Sequence, residues 1–477
     1  MSEKDTHFDL TVIGSGPGGY PAAIRAAQTG AKVALIESQE LGGTCLNRGC
    51  IPSKALIACA RMYHNFTKAE DFGLSADNVS FDYPKMVDRA DKIVKKIRKG
   101  VEGLVKANGI TLFRGFGKFT APNQIKILGE DNVLIESDKT LIASGSEPRI
   151  IPAFQCDGEL VHDSTSILKL KKLPKKLIVI GGGVIGCEFA SMYNLLGVEV
   201  VVLEMLPRIL TTECEELSEI LADSLAKRGV EIHTEVAVKE VKKCKSGVEV
   251  MIEGGSYFKA DMALVSVGRK VNSFDIGLDA AGVLVKDNGV VETNEKMETG
   301  VDGIYAIGDV TGKWWLAHVA THHGLIAVSN ALGQRALMHE NAVPSVIFTD
   351  PEIASVGLTP EKAHDEGIAV TVGRYPFQAL GKSQAIGHPE GFAQVVADKK
   401  TGQVLGAQIA GHEAATLIAE MALAVANELT LDCVFDTIHA HPTTPEAWME
   451  AALLANGTPI HLPPKKKRES DVASRAV

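Results

Sequence analysis

Apolar runs that lead into glycine-rich turns dominate the pattern of the first part of the chain. Residues 8–13 form the first such run and residues 177–180 form the second, and each turn is followed by a helical segment and another apolar run. This alternation of strand and helix predicts βαβ units with parallel sheets. From Pro344 onward, short alternating strands and long helical patterns such as residues 414–428 indicate an α+β domain.

The two glycine-rich turns are an internal duplication. The first reads Gly-Ser-Gly-Pro-Gly-Gly from residue 14, and the second reads Gly-Gly-Gly-Val-Ile-Gly from residue 181. In a dinucleotide-binding turn, the first glycine permits a tight bend, the second lets backbone approach a pyrophosphate, and the third lets helix and strand pack closely. The phosphate then faces a helix N-terminus, where unpaired N–H groups favour an anion. The residues that meet these requirements are Gly14, Gly16 and Gly19 in the first copy and Gly181, Gly183 and Gly186 in the second.

An acidic residue ends the second strand of each copy. Glu37 follows Gly14 by 23 positions (37 − 14), and Glu204 follows Gly181 by the same interval (204 − 181). Such a carboxylate accepts hydrogen bonds from ribose hydroxyls and repels a 2′-phosphate, so Glu204 favours NAD over NADP, although the nearby Arg208 could serve a 2′-phosphate. Two dinucleotide sites suggest electron transfer between two dinucleotides, typically FAD and NAD. Composition does not say which site holds which.

Of the eight cysteines, only Cys45 and Cys50 are closely spaced. In a reducing compartment such a pair is a candidate for catalysis or metal binding, and metal is disfavoured because no second Cys/His pair lies nearby at zinc-ligand spacing. A disulfide between them would close a small loop and stabilise the folded protein by about 2 kcal/mol, at the low end for disulfides, so a purely structural role is not compelling. Pro52 suits the first turn of a helix, which would place Cys50 just ahead of a helix N-terminus, where a thiolate is favoured. Lys54 adds positive charge.

The segment from Gly42 to Lys54, GGTCLNRGCIPSK, resembles the redox-active disulfide of the pyridine nucleotide–disulfide oxidoreductases. Its Cys-Leu-Asn-x-Gly-Cys form is most similar to that of the dihydrolipoamide dehydrogenases within that family. The resemblance covers about residues 8–462 and implies oxidation of dihydrolipoyl groups to lipoyl, with FAD in the first site and NAD in the second. It implies that Cys45 exchanges with substrate, that Cys50 lies next to the flavin, and that Lys54 lies near flavin N5, paired with Glu188.

Further cofactor residues follow from the same resemblance. Residues 299–309 resemble the family's second FAD motif, in which Asp309 binds the ribityl chain. Ser144 lies in a segment that resembles the crossover between the FAD and NAD domains, and Gly268 and Arg269 lie in a segment that resembles the return crossover. The residues expected to bind FAD are Gly14, Gly16, Gly19, Glu37, Lys54, Gly117, Ser144, Asp309 and Ala317. Those expected to bind NAD are Gly181, Gly183, Gly186, Glu188, Glu204, Gly268 and Arg269.

Residues 439–446, His-Ala-His-Pro-Thr-Thr-Pro-Glu, precede a predicted helix that begins at Pro445 and that Thr444 can cap. Glu446 in the first turn could reach back to the preceding loop, and a histidine oriented by a carboxylate is a general acid–base arrangement. Taken alone, such a pair is more often structural. The segment resembles the family's His-Pro-Thr-x-x-Glu motif, which implies that His441 is the base, Glu446 its partner and His439 a supporting residue. In the family this base reaches the disulfide of the other subunit, so a homodimer with a shared active site is expected.

The formal net charge of −10 argues against non-specific nucleic-acid binding by the folded body and against docking to an anionic membrane. No apolar run reaches the roughly 20 residues of a membrane helix, and the start of the chain lacks the features of a signal or transit peptide. A cytoplasmic protein is expected, or a mitochondrial matrix protein if a transit peptide has been removed. The basic run at residues 465–468 is interpreted as a solvated terminus. A redox-sensing or nucleic-acid-binding protein that uses this run is the rival hypothesis.

The predicted fold class is α/β, with two Rossmann-like dinucleotide-binding domains and an α+β C-terminal dimerisation domain. The expected boundaries are residues 1–147 for an FAD-binding domain, 148–272 for an NAD-binding domain, 273–343 for a central domain that completes the FAD site, 344–464 for a dimer-interface domain and 465–477 for a basic flexible tail. Lipoyl domains of 2-oxo acid dehydrogenase complexes or of the glycine cleavage system are the expected partners.

A related flavin disulfide reductase with another disulfide substrate is the enzymatic alternative. Glutathione reductases fit poorly because Glu204 disfavours NADP, and mercuric reductases fit poorly because the chain has no C-terminal cysteine pair. No metal site is expected. Three residues depart from the family pattern near the expected flavin site: the paired Trp314 and Trp315, and His323, where many relatives carry Glu.

Overall fold

A computed structural model describes residues 6–463, so the basic run at residues 465–468 lies outside the described residues. In chain order the strands are β1 (His7–Ile13), β2 (Val33–Glu37), β3 (Thr111–Arg114), β4 (Phe116–Ala121), β5 (Gln124–Leu128), β6 (Val133–Ile142), β7 (Ser146–Pro148), β8 (Val161–Asp163), β9 (Lys176–Ile180), β10 (Glu199–Leu203), β11 (Glu231–His233), β12 (Val238–Cys244), β13 (Gly247–Ile252), β14 (Tyr257–Ala260), β15 (Met262–Val265), β16 (Arg269–Val271), β17 (Ile304–Ala306), β18 (Ser345–Ile347), β19 (Glu352–Gly357), β20 (Val370–Pro376), β21 (Phe392–Asp398) and β22 (Val404–Gly411). The α-helices are α1 (Gly19–Gln28), α2 (Gly43–Arg48), α3 (Cys50–Thr67), α4 (Tyr83–Ala107), α5 (Val184–Leu195), α6 (Glu215–Lys227), α7 (Ala317–Ala331), α8 (Pro360–Asp365), α9 (Gly381–Ala385), α10 (Ala414–Ala426), α11 (Leu431–Asp436) and α12 (Glu446–Asn456).

The first of two compact units comprises Met1–Gly181, Met192–Leu203 and Val236–His339. Its largest sheet has the order β3-β2-β1-β6-β5-β4, with β17 also paired to β6. The strands β3, β2, β1, β6 and β17 are parallel, and every residue of β2 is buried, which is typical of parallel strands covered on both faces. From β1 the chain continues to β2, which pairs with one edge of β1, whereas β6 pairs with the other edge. The carboxyl end of β1 is therefore a topological switch point, where open α/β sheets bind ligands.

A second parallel sheet in the same unit repeats this arrangement. The four strands of this sheet that belong to the unit run in the order β10-β9-β15-β8, so β9 lies between β10 and β15 as β1 lies between β2 and β6. The duplication seen in the sequence is therefore a duplication of strand order. This confirms the predicted fold class with two Rossmann-like folds.

The two expected crossovers pair with each other. β7, which follows the first sheet, forms a two-stranded antiparallel ribbon with β16, which follows the second, and Ser146 lies opposite Val271. A separate antiparallel sheet, β12-β13-β14, was not predicted. The first unit thus contains both parallel sheets and the ribbon between their crossovers.

The second unit comprises Gly182–Ser191, Glu204–Glu235 and the described residues 340–463. Its sheet is antiparallel, with the order β18-β19-β22-β21-β20, and α10 and α12 pack against it. Trp448 on α12 is fully buried, and its indole N–H donates to the carbonyl of Leu417 on α10 at 3.1 Å. The α+β arrangement of strands and helices predicted from Pro344 onward is confirmed, whereas the four domain boundaries remain predictions. Among residues 6–463, no helix is long and apolar enough to cross a bilayer.

Candidate active site

The first glycine turn has the geometry that its three glycines require. Gly14 has a φ of +100°, and a Cβ placed there would lie 2.4 Å from the carbonyl oxygen of Ala143. A Cβ at Gly19 would lie 1.9 Å from the carbonyl oxygen of Gly14, so α1 begins in direct contact with the turn. At Gly16 a Cβ would meet no described atom within 4 Å. The middle glycine therefore opens onto free space, as the binding of a pyrophosphate requires.

The second turn repeats the first. Gly181 has a φ of +101°, and its Cβ would lie 2.5 Å from the carbonyl oxygen of Ser266, the residue that follows β15 as Ala143 follows β6. A Cβ at Gly183 would have no described neighbour within 4 Å, and Gly186 is buried in α5. The two copies share the same bend and the same open middle glycine.

The acidic residues Glu37 and Glu204 are held by their own loops in matching ways. Glu37 accepts the backbone N–H of Ser15 at 3.0 Å and that of Gln39 at 2.8 Å. Glu204 accepts the N–H of Gly182 at 2.6 Å and that of Leu206 at 2.8 Å. In both copies the donors are the second residue of the turn and the residue two places after the glutamate. Each carboxylate is therefore oriented before any ligand binds.

Cys45 and Cys50 form a disulfide, with 4.6 Å between their Cα atoms. Cys50 is the first residue of α3, as its expected place near a helix N-terminus requires, and that position stabilises a thiolate. The disulfide segment also touches the first glycine turn. Gly43 has a φ of +61°, and a Cβ there would lie 2.6 Å from the Cα of Gly16. The structure thus places the cysteine pair on a segment that abuts the open part of the first dinucleotide turn.

Asn47 on α2 fastens this helix to the residues before it, a role that sequence reasoning did not assign. Its side-chain amide donates to the carbonyls of Leu41 at 2.9 Å and Gly43 at 3.0 Å, and its oxygen accepts from Arg98 at 3.3 Å. Only about a tenth of Asn47 is exposed. The signal available in the sequence was its place inside the cysteine motif, since a buried amide needs partners.

A network around Asp309 joins residues from three distant parts of the first unit. The side chain of Arg269 donates through Nε to the Ser146 hydroxyl at 2.7 Å, and that hydroxyl donates to Asp309. Arg269 also donates to the Ser146 carbonyl at 2.8 Å. Burial raises the pKa of the Asp309 carboxyl, although the Ser146 hydroxyl and Arg269 oppose this. Nε of Arg269, expected beside NAD, lies 3.9 Å from Asp309, which is expected to bind FAD. Ser146, which sequence reasoning did not single out, joins the two side chains.

Other residues expected at the FAD site lie in the same unit. The hydroxyl oxygen of Ser144 is buried without a hydrogen-bond partner among residues 6–463, which suits a group that awaits a ligand. Ala317 begins α7, and Gly117 in β4 lies against Ile36. Lys54 lies in the second turn of α3. The individual roles of these residues remain predictions.

The departures from the family pattern have distinct surroundings. His323, fully buried on α7, accepts the backbone N–H of Gly308 at 3.3 Å through Nδ1. This contact supports the turn that presents Asp309. Trp315 is 44% exposed and Trp314 is partly buried.

In the second unit, His441 and Glu446 form the predicted pair. Nδ1 of His441 lies 2.8 Å from Oε1 of Glu446, and Oε2 of Glu446 accepts the Thr443 N–H at 2.7 Å. Burial would raise the pKa of Glu446, but the Thr443 N–H and the two histidines, His441 and His439, hold it below its usual value. The His441 side chain is 79% exposed. Since a carboxylate accepts at Nδ1, the other ring nitrogen, Nε2, is left without a role in this pair.

The start of the following helix differs from the prediction. The helix begins at Glu446 rather than Pro445, and its N-cap position is Pro445, which cannot offer a side-chain cap. Glu446 itself accepts the N–H of Thr443, so the carboxylate that orients the histidine also fixes the loop before the helix. Also in this unit, Glu188 is buried and accepts the N–H of Phe348 at 3.0 Å. Its expected pairing with Lys54 remains a prediction.

Comparison with known proteins places these features in one family. Residues 8–324 match the profile described as pyridine nucleotide-disulphide oxidoreductase, and residues 343–452 match its dimerisation domain. The chain is 48% identical to a dihydrolipoyl dehydrogenase of Chlamydia trachomatis over 96% of this chain and 99% of the relative. It is 41% identical to a dihydrolipoyl dehydrogenase of Bacillus subtilis over 95% of this chain and 97% of the relative. The crystal structure of LpdA from Mycobacterium tuberculosis superposes with a TM-score of 0.89 at 28% identity, covering 94% of this chain and 99% of LpdA. The chain belongs to the pyridine nucleotide-disulphide oxidoreductase family.

Proposed function

We propose that the protein is a dihydrolipoyl dehydrogenase, which oxidises dihydrolipoyl groups to lipoyl with FAD as internal carrier and NAD as acceptor. The observation that carries this proposal is the Cys45–Cys50 disulfide on a segment that abuts the first dinucleotide turn at Gly16. The relatives that are 41% and 48% identical over nearly their whole length bear the same name. Their identity and coverage support the substrate class.

The residues present fit FAD in the first copy and NAD in the second. The open backbone at Gly16 leaves room for a pyrophosphate, Glu37 is oriented for ribose hydroxyls, and the unpartnered hydroxyl of Ser144 offers a further hydrogen bond. We assign Asp309 to the ribityl chain of FAD. When bound, FAD supplies a two-electron acceptor for the enzyme dithiol, and NAD supplies the final hydride acceptor.

The second copy favours NAD because its arginine is already engaged. Arg208 could have served the 2′-phosphate of NADP, but its guanidinium donates to the carbonyls of Leu210 at 3.2 Å and Glu213 at 2.8 Å. Glu204 is oriented by two backbone N–H groups and repels a phosphate. These contacts support NAD as the nicotinamide substrate.

The thiol chemistry follows from the His441–Glu446 pair and the disulfide. His441 takes the proton of one substrate thiol at Nε2, and Glu446 stabilises the imidazolium that forms. The substrate thiolate attacks Sγ of Cys45, and Cys50 leaves as a thiolate that the helix N-terminus stabilises. The second substrate thiol then attacks the substrate sulfur of the mixed disulfide and its proton passes to the departing Sγ of Cys45, so the lipoyl disulfide forms and Cys45 leaves as a thiol. Two electrons and two protons have then left the substrate.

The proposal includes a homodimer in which His441 of one copy serves the disulfide of the other. The match of residues 343–452 to a dimerisation domain supports the dimer, and the exposure of His441 leaves Nε2 open to a second copy. Lipoyl domains of a 2-oxo acid dehydrogenase complex or of the glycine cleavage system are the proposed macromolecular substrates. A cytoplasmic location is proposed with this function.

The test is a yellow flavin spectrum together with dihydrolipoamide-dependent reduction of NAD. We expect Cys45→Ser to abolish this activity, because the mixed disulfide cannot form. Cys59→Ser is the matched control, since Cys59 lies on α3 outside the disulfide. A flavoprotein that reduces NAD with dihydrolipoamide equally well in the Cys45→Ser variant would overturn the mechanism. A flavoprotein inactive with dihydrolipoamide would overturn the substrate assignment.

A further inference from the structure

Helix α4 carries a concentration of positive charge that the rest of the chain does not share. It contains eight Lys and Arg residues against three Asp and Glu residues, which gives a formal charge of +5 (8 − 3). The whole chain has a formal net charge of −10, so the residues outside α4 sum to −15 (−10 − 5). α4 is therefore a basic helix on an acidic protein.

Most of this charge lies on one face of the helix. Lys92, Lys95, Lys96 and Lys99 follow the spacing i, i+3, i+4 and i+7, which places their side chains along one line of the helix surface. All four are exposed, whereas the buried positions of α4, of which Val94 is one, lie on the opposite side. We call Lys95, Lys96 and Lys99 the lysine stripe.

Two of the three acidic residues of α4 are neutralised from outside the helix. Nζ of Lys171 lies 2.6 Å from a carboxylate oxygen of Asp88, and Nζ of Lys169 lies 2.7 Å from one of Asp91. Within residues 6–463, by contrast, no residue forms a hydrogen bond or an ion pair with the side chains of the lysine stripe. The acidic groups of α4 are therefore engaged within the fold, and the positive charges of the stripe are left to solvent and partners.

The lysine stripe lies beside the segment that carries the disulfide. Helix α4 packs against α2 and α3. Nη1 of Arg98, within the span of the stripe, donates at 3.3 Å to the side-chain oxygen of Asn47, which stands between the two cysteines in sequence. Nη1 of Arg89, nearer the start of α4, donates at 3.3 Å to the carbonyl of Ala55 on α3. α4 therefore runs antiparallel to α3, with the stripe at the end nearer to Cys50.

We propose that the lysine stripe is a docking surface for the acidic face of a lipoyl domain, the partner that brings its dithiol to the Cys45–Cys50 disulfide. The inference rests on the proposed function and adds the surface that the macromolecular substrate uses. Exposed charges of one sign raise the rate of encounter with a partner of opposite sign. A positive stripe beside the disulfide, on an otherwise acidic enzyme, directs an acidic domain to the reacting sulfurs and repels it elsewhere.

The choice of this occupant over others follows from the chemistry and the position of the stripe. Neither a nucleic acid nor a lipid surface carries the dithiol that the proposed reaction consumes. The stripe also lies outside residues 343–452, which match the dimerisation domain, so a second copy of the chain is not the occupant that we infer.

The first test compares two substrates of the holoenzyme: a reduced lipoyl domain with a net negative charge, and free dihydrolipoamide, which is uncharged. The triple variant combines Lys95→Gln, Lys96→Gln and Lys99→Gln. At low ionic strength we expect its kcat/KM for the lipoyl domain to fall about tenfold, the lower end of the effect of electrostatic steering on association, with kcat unchanged. Its kcat/KM for free dihydrolipoamide should stay the same. An equal loss with both substrates, or no loss with the domain, would overturn the proposal.

Salt and a matched control distinguish the charge of the stripe from other effects. The screening length falls from about 30 Å at 0.01 M to about 3 Å at 1 M ionic strength, so the advantage of the wild type over the triple variant should vanish at high salt. The control variant replaces three exposed lysines elsewhere in the same unit by Gln: Lys118 on β4, Lys239 on β12 and Lys245 in the turn between β12 and β13. It should lose much less kcat/KM for the domain. An equal loss in the control would show that net charge alone matters and would overturn the assignment to the stripe.

A binding measurement separates this inference from the proposed function. Titration of the isotope-labelled, oxidised lipoyl domain with holoenzyme, followed by nuclear magnetic resonance, measures docking without turnover. We expect the Kd to be about tenfold higher for the triple variant at low ionic strength, and equal affinities would overturn the proposal. A wild-type holoenzyme that is inactive with free dihydrolipoamide would refute the proposed function, whereas the stripe would still be judged by this titration. Binding of duplex DNA that is lost in the triple variant, with the lipoyl-domain reaction unchanged, would assign the stripe to nucleic acid and overturn the proposal.

Discussion

Substitution of single glycines by alanine separates the folding role of the first turn from its binding role. At Gly14 the backbone has a φ of +100°, which costs a residue with a side chain about 1–3 kcal/mol. The added Cβ would also lie 2.4 Å from the Ala143 carbonyl oxygen, a backbone atom that cannot rotate away. Overpacking of this kind adds about 1–3 kcal/mol. The expected loss for Gly14→Ala is therefore about 2–6 kcal/mol, a large share of a typical net stability of about 5–15 kcal/mol.

Gly16→Ala is the matched variant with the opposite expectation. The φ of Gly16 is not positive, and a Cβ added there would meet no described atom within 4 Å. The apoprotein should keep its stability to within about 0.5 kcal/mol. The new methyl group would occupy the space proposed for the pyrophosphate, so FAD should bind at least about tenfold more weakly, which corresponds to about 1.4 kcal/mol.

The assay combines urea denaturation of the apoprotein with titration of FAD by fluorescence quenching. Gly14→Ala should lower the denaturation midpoint, and Gly16→Ala should weaken FAD binding alone. The same contrast is expected for NAD with Gly181→Ala and Gly183→Ala, whose positions repeat the geometry. A Gly16→Ala protein that binds FAD as tightly as the wild type would refute the placement of the pyrophosphate. A Gly14→Ala apoprotein of unchanged stability would refute the argument from close approach.

Three further predictions concern the second copy and the C-terminal unit. Glu204→Gln should raise the KM for NAD about tenfold with little change in kcat, because a charged hydrogen-bond acceptor for the ribose is lost. Steady-state kinetics measures this effect, and an unchanged KM would contradict it. The pKa of His439 is raised in the folded protein. Its contribution to the free energy of unfolding is therefore fully present below its unfolded-state pKa of about 6.5 and is lost as pH rises through its folded-state pKa. His439→Gln should therefore lower the urea midpoint more at acidic than at alkaline pH, and an equal loss at both would count against the charge. Trp448→Ala should cost about 3–5 kcal/mol, since the side chain is fully buried, whereas the exposed Trp315→Ala should cost less than about 1 kcal/mol by the same denaturation measurement.

The elements around the dinucleotide turns were predictable because their signals are local. The strand expected at residues 8–13 is His7–Ile13, and the one expected at residues 177–180 is Lys176–Ile180. Glycines that need positive φ, apolar strands and a terminal acid all fall within one βαβ unit, so the sequence carries the whole pattern. The helix expected at residues 414–428 is Ala414–Ala426, since its apolar spacing is also local.

The contacts between distant segments were not predictable in this way. Arg269, Ser146 and Asp309 meet although Ser146 and Asp309 are 163 positions apart, and nothing in the local pattern of each residue names the others. The protonation of His439 likewise depends on Glu420, which lies on a different helix. The helix start at Glu446 was placed one residue early because Pro445 is favoured within a first helical turn. Tertiary partners decide these details, and a single sequence does not show them.

Asn47 holds the segment that carries the cysteines by hydrogen bonds that are separate from the disulfide. The Asn47 amide on α2 donates to the carbonyls of Leu41 and Gly43, and these hydrogen bonds hold α2 and the residues before it without involving either sulfur. Each turnover must open and reclose that bond, and a loop held by sulfur alone would loosen in every reduced half-cycle. When the bond between the sulfurs opens, the hydrogen bonds of Asn47 remain available to hold this segment. The enzyme can therefore be reduced and reoxidised repeatedly with little refolding, and the loop is ready for the next substrate as soon as the electrons have left.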